Sequence, residues 1–90
     1  MDLVCRDGNT LVFAEVKTRA EVSEISRPAD AVTPEKERLV ARGALAWLHL
    51  LGDPEIEFRF DIIEVILPPD GEADVTVNEA AFGLPKGWRY

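Results

Sequence analysis

The segment from Thr10 to Lys17, Thr-Leu-Val-Phe-Ala-Glu-Val-Lys, restricts the possible folds more than any other part of the chain. Side chains along a strand point alternately to opposite faces. Leu11 and Phe13 therefore lie on one side and Val12, Ala14 and Val16 on the other, so this strand is apolar on both. A strand of that kind needs a layer above and a layer below, as a central strand of an α/β sheet has. Charge appears only at its end, where Glu15 and Lys17 follow Leu11 and Phe13 on the same face.

The neighbouring segments give this strand its partners. Met1 to Cys5 is apolar apart from Asp2 and reads as a strand, and Arg6-Asp7-Gly8-Asn9 reads as a tight turn. The loop can be Asp7-Gly8 or Gly8-Asn9. Either choice keeps Asp2 and Val4 on the face of Leu11, Phe13, Glu15 and Lys17, because the two registers differ by an even step. With Gly8-Asn9 at the turn, Asp2 lies opposite Glu15. Residues Thr18 to Val32, including Ser23, Ser26, Pro28 and Asp30, show no period and read as a loop with at most a helical turn, long enough for a functional role. Thr33-Pro34 opens a helix, since Thr suits the N-cap and Pro the first helical position. Leu39, Val40, Ala44, Leu45, Trp47, Leu48 and Leu51 form its apolar stripe, and Gly52 ends it. Glu57 to Leu67 reads as a strand with Phe58, Phe60, Ile62 and Ile66 on one face and Arg59, Asp61, Ile63 and Val65 on the other. Strand, long helix, strand implies a right-handed crossover and a parallel pair. Val75-Thr76-Val77 is expected as a short edge strand, Asn78 to Phe82 as a turn of helix, and residues 83–90 as a tail. The expected architecture is α/β: one domain over residues 1–90, a hairpin plus a parallel crossover strand in a mixed sheet, with one long helix.

Composition limits what such a domain can bind. With ten basic against seventeen acidic residues the formal charge is −7, which excludes a nucleic-acid grip spread over the whole surface but leaves room for a local basic patch. Cys5 is the one cysteine, so no intramolecular disulfide forms, and it is expected as a small buried apolar side chain. No apolar run approaches the roughly 20 residues that span a bilayer, and Met1-Asp2 does not open a signal peptide. A soluble cytoplasmic domain is expected.

The charged end of the central strand has a chemical reading. Mg²⁺ takes hard oxygen ligands and keeps several waters. Asp2 and Glu15 on adjacent strands, with the backbone carbonyl of Val16, are candidate ligands. Lys17, on the same face roughly 6–7 Å further along, is placed to orient an attacking water or stabilise charge on a phosphate. The same spacing also fits a strand that simply finishes in charged residues at a sheet edge.

A wider set of residues separates these readings. Met-Asp-Leu-Val, Arg-Asp-Gly and Leu-Val-Phe-Ala-Glu-Val-Lys-Thr-Arg, followed by Ala31-Val32-Thr33-Pro34 with Lys36, then Arg59-Phe60-Asp61 and Asn78 to Phe82, occur in the order of the YraN family, which this chain resembles over nearly its whole length. That family of uncharacterised endonuclease-like proteins is similar to the PD-(D/E)XK nuclease superfamily, with its restriction-endonuclease-like mixed sheet. The resemblance implies a metal-dependent nuclease-like domain acting on phosphodiester bonds of DNA or RNA. Asp2, Glu15 and Lys17 would be its catalytic residues and Mg²⁺ or Mn²⁺ its cofactor. The alternative is a catalytically inactive nucleic-acid-binding or structural module of the same fold. Family members carry an N-terminal helix, a first strand and a Gly-Glu before the position of Met1. The expectation is therefore an incomplete core with one sheet face open to a partner copy, as in a homodimer, or to a swapped segment.

Other residues have two readings each. Arg19 and Lys36 are candidate phosphate contacts or plain surface charges. Asp61, inside an apolar strand, calls for a structural pair with Arg59. His49 reads as a surface residue of the helix. Lys86-Gly87-Trp88-Arg89-Tyr90 suits either base stacking or a tail that docks Trp88 on the body.

Overall fold

The computed structural model describes residues 1–20 and 32–90. Most of the expected 18–32 loop, with Ser23, Ser26, Pro28, Asp30 and also Ala31, lies outside them. Five elements follow in order: β1 (Leu3–Asp7), β2 (Thr10–Arg19), α1 (Pro34–Leu50), β3 (Glu57–Ile66) and β4 (Asp74–Phe82). The strands form one mixed sheet in the order β1-β2-β3-β4. β2 and β3 pair in parallel, and β1 and β4 flank them antiparallel. The mixed α/β architecture and the parallel crossover are those expected from the sequence.

The hairpin turn is Gly8-Asn9, because Asp7 pairs with Thr10. Gly8 has φ +59 and comes first in the loop, the place that a type II′ turn reserves for glycine. From there the register runs through Cys5 opposite Val12 to Leu3 opposite Ala14. β2 continues two residues past Lys17, so Thr18 and Arg19 belong to the strand and not to the loop.

Thr33 caps α1, its Oγ1 accepting from the Lys36 N–H at 3.1 Å, and Pro34 follows at the first turn. The buried face is Val40, Ala41, Ala44 and Leu48. This corrects the expected stripe. Leu39 and Leu51 are more than half exposed, while Ala41, outside the expected stripe, is fully buried. The sheet meets a narrow face spaced by fours, and a small residue allows closer approach than a leucine does. Gly43, in the same helix, is a site for stabilisation. Among the described residues a methyl there would meet only the Met1 Cε at 3.7 Å, an ordinary contact. Gly43→Ala is expected to raise the unfolding free energy by about 0.8 kcal/mol through helix propensity, read as a higher urea midpoint.

The core between α1 and the sheet contains Leu11, Phe13, Phe60 and the four buried helix residues. Phe13 is its centre, 5.9 Å from the Trp47 ring, 6.0 Å from Phe58 and 5.8 Å from Phe60 between centroids. Trp88 packs against this cluster, and Tyr90 meets Phe58 edge-on at 5.4 Å while its hydroxyl donates to the Pro54 carbonyl. The tail is thus docked on the body.

Two expectations fail here. Asn78 to Phe82 is not a helical turn but the second half of β4. Its Asn-Glu-Ala-Ala composition favours helix weakly, and tertiary contacts override it. The Ala80 N–H donates to Asp61 Oδ1 at 2.9 Å, Ala80 takes φ +50 at an irregularity in the ladder, and Phe82 stacks on Phe60 at 5.1 Å. Cys5 is exposed, not buried, because β1 is an edge strand and Cys5 points away from α1.

On the sheet face opposite α1, Asp61 is 2 % exposed and paired as its setting demands. Arg59 Nε donates to Asp61 Oδ1 and Oδ2 at 3.0 and 3.2 Å, and its other nitrogens reach Asp7 at 3.1 Å and Glu79 at 3.6 Å. These carboxylates, Asp61 first, hold the guanidinium protonated even more firmly than usual. Elsewhere on this face the register aligns Leu3, Val75 and Val77, all exposed, with the half-buried Ile63 and Val65. Among the described residues no helix is long and apolar enough to cross a membrane.

Candidate metal centre

The centre begins with strand parity. Leu11 and Phe13 face α1, so Glu15 and Lys17 do as well, further along β2. Glu15 is 1 % exposed, an unusual depth for a carboxylate. Its Oε1 has no hydrogen-bond partner among the described residues. Two cations approach it: the Met1 amino group stands 3.0 Å from Oε1 and the Lys36 Nζ 3.9 Å from Oε2.

Asp2 lies just beyond the end of β1. Its own N–H donates to the Ala14 carbonyl at 3.0 Å, and its Oδ2 accepts from the Val16 N–H at 2.9 Å. The carboxylate thus replaces a missing backbone acceptor at the strand end, which fixes it beside Glu15. The Val16 hydrogen bond above all, then the Glu15 side chain, the N-terminal ammonium and Lys36, hold the Asp2 carboxyl below its ordinary range against a small burial cost. A depressed carboxyl pKa adds stability above the unfolded value near 3.8, and that stability disappears as pH falls through the folded value. Asp2→Asn is therefore expected to lower the urea midpoint at pH 7. The difference from the natural protein should shrink below about pH 4, since protonation removes the same charge.

Lys17 is half-buried and forms no ion pair among the described residues. Arg19 follows on the same face, also half-buried. Lys36 reaches in from the first turn of α1 to within 3.9 Å of Glu15 Oε2. Val16 is seen to contribute its N–H to Asp2. His49, by contrast, is far exposed and pairs with Asp53 at 3.2 Å, as a surface residue would.

Glu64 is a neighbour of the centre that sequence reasoning misses. It is the register partner of Lys17 on β3, and Asn78 Nδ2 donates to its Oε1 at 2.7 Å. Its one signal in the sequence is the break it makes in the apolar row Phe58, Phe60, Ile62, Ile66.

Among the described residues no three of His, Cys, Asp and Glu gather as a ligand cluster, so the centre offers two carboxylates. Two suffice for Mg²⁺, which keeps most of its waters and binds through one or two carboxylates. Glu15 Oε1, buried and hard, already faces a cation in the Met1 ammonium and is the atom that would bind such an ion in its place.

Comparison with known proteins places the chain in a family. The sequence model of an uncharacterised protein family, UPF0102, matches residues 1–65, which hold Asp2, Glu15, Lys17, Lys36 and Glu64. A UPF0102 protein of Geobacter sulfurreducens is 49% identical over 71 residues, 78% of this chain and 55% of its own length. One of Geotalea daltonii is 38% identical over 84 residues, 93% of this chain and 65% of its length. One of Symbiobacterium thermophilum is 42% identical over 82 residues, 91% of this chain and 69% of its length. The aligned region spans between 55% and 69% of these relatives.

Proposed function

The chain belongs to the uncharacterised protein family UPF0102, YraN-like as its motifs indicate, and from that premise we propose that it is a metal-dependent nuclease-like domain acting on nucleic-acid phosphodiester bonds. The observation that carries this reading is the Glu15 carboxylate, buried beside Asp2 and met by cations at both oxygens, on a strand that brings Lys17 to the same face. Burying a carboxylate costs stability even when it is ion-paired, and such groups cluster where function needs them.

Asp2 and Glu15 would hold Mg²⁺ or Mn²⁺, with the Val16 carbonyl as a third oxygen. When bound, the ion would polarise a phosphoryl oxygen and acidify a coordinated water. Lys17, without an ion-pair partner among the described residues, is available to stabilise charge on the phosphate or to orient the water. Arg19 and Lys36 add local positive charge near this face of an acidic protein.

The second reading, an inactive module of the same fold, is favoured by one observation. The Met1 amine and Lys36 already stand at the Glu15 oxygens. The two readings separate when the protein is incubated with branched, single-stranded and duplex DNA in Mg²⁺ or Mn²⁺. Cleavage lost in Lys17→Ala by about 100-fold or more is the expected result. No cleavage, or cleavage untouched by that substitution, would leave the inactive module standing.

A further inference from the structure

We infer that Lys36 is the side-chain counter-cation of the Asp2–Glu15 pair: at Oε2, beside the Met1 ammonium at Oε1, it helps hold the metal's place in the metal-free protein and turns outward when the metal enters. The inference rests on the reading that these two carboxylates receive a divalent cation.

The position of Lys36 is the first argument. With Thr33 as N-cap, Lys36 is the third helical residue, where a capping box puts an acid that reaches back to the cap. A lysine there also opposes the helix dipole. Its placement is unfavourable for the helix alone and is offset by the charge it faces, Glu15 Oε2 at 3.9 Å.

Mobility is the second argument. The Glu15 side chain is 2 % exposed and cannot leave, whereas that of Lys36 is 43 % exposed and can. The base of the lysine arm is fixed, because its own N–H is bound to Thr33 Oγ1 at 3.1 Å. Exchange therefore requires only side-chain rotation and leaves α1 in place. At 3.9 Å the ammonium makes an ion pair without a hydrogen bond, a hold that a divalent ion at carboxylate-bonding distance displaces.

Mn²⁺ affinity, read from the free-ion electron paramagnetic resonance signal, tests this without any assay of cleavage. Lys36→Met should bind Mn²⁺ about three- to ten-fold more tightly than the natural protein, since a competing charge next to the site is gone. Lys36→Arg, which keeps the charge, should stay close to the natural affinity. Arg38→Met, which removes an equal charge from an exposed position two residues on, should change affinity by less than about two-fold. If Lys36→Met binds Mn²⁺ equally well or more weakly while the natural protein binds it, the counter-cation role is overturned and the metal centre stands. If no form binds Mn²⁺, the metal centre falls and the role of Lys36 with it.

Discussion

Asp61→Ala is expected to destabilise the protein by about 3 kcal/mol, the cost of breaking a buried, hydrogen-bonded ion pair on one side. Asp61 is 2 % exposed and accepts from Arg59 Nε with both oxygens and from the Ala80 N–H with one. Its loss leaves a backbone donor of β4 without an acceptor and takes from Arg59 its most buried partner. Asp61→Asn keeps one carbonyl oxygen for those donors and should lose clearly less. Urea denaturation of both variants measures the difference. Equal losses would mean that the charge of Asp61, and not its hydrogen bonds, matters to the fold. The same residue explains Arg59-Phe60-Asp61 as a structural motif: its charged pair lies on the face away from Glu15, whereas Phe60 faces the core.

Glu15→Gln should act in the opposite direction on stability and far more strongly on function. A neutral amide of the same shape relieves the buried charge, its carbonyl oxygen still accepts from the Met1 amine, and Lys36, well exposed, returns to water at small cost. The urea midpoint is expected to hold or rise. On the proposed function, Mn²⁺ binding and cleavage should both fall by at least about 100-fold, equivalent to ~2.7 kcal/mol, because the proposed centre loses one of its two carboxylates. A variant that is markedly less stable, yet binds Mn²⁺ as before, would mark Glu15 as part of the structural framework. Such a trade between stability and activity is what a functional carboxylate in an apolar setting entails.

What the sequence made legible was mostly local. The two-residue turn at Gly8-Asn9, the Thr33-Pro34 cap and the alternation in β2 each carry their signal within a few residues. Together they gave the hairpin, the helix and the common face of Asp2, Glu15 and Lys17. The features that stayed hidden depend on contacts between distant residues. β4 is extended through Ala80 because of a carboxylate on β3, 19 residues earlier. Lys36 meets Glu15 only once the chain has crossed from the sheet to α1. Glu64 joins the face of Lys17 only through the parallel register. Cys5 was misjudged for a related reason, since being apolar does not reveal which strand is at the edge.

The parallel pairing of β2 with β3 bears on the order of folding. The β1–β2 hairpin closes on itself through two residues and can form in about 1–10 μs. It aligns Asp2 with Glu15 by itself. Pairing Thr10 with Glu57 must instead close a long loop that includes α1, and contacts of such sequence separation form slowly. The carboxylates are thus assembled early in water, where they are fully hydrated, and Glu15 loses its hydration only when α1 and β3 arrive. Destabilisation caused by the buried charge should therefore appear mainly in the closing of the crossover and leave hairpin formation untouched. In Glu15→Gln, faster folding with an unchanged hairpin would be its kinetic trace.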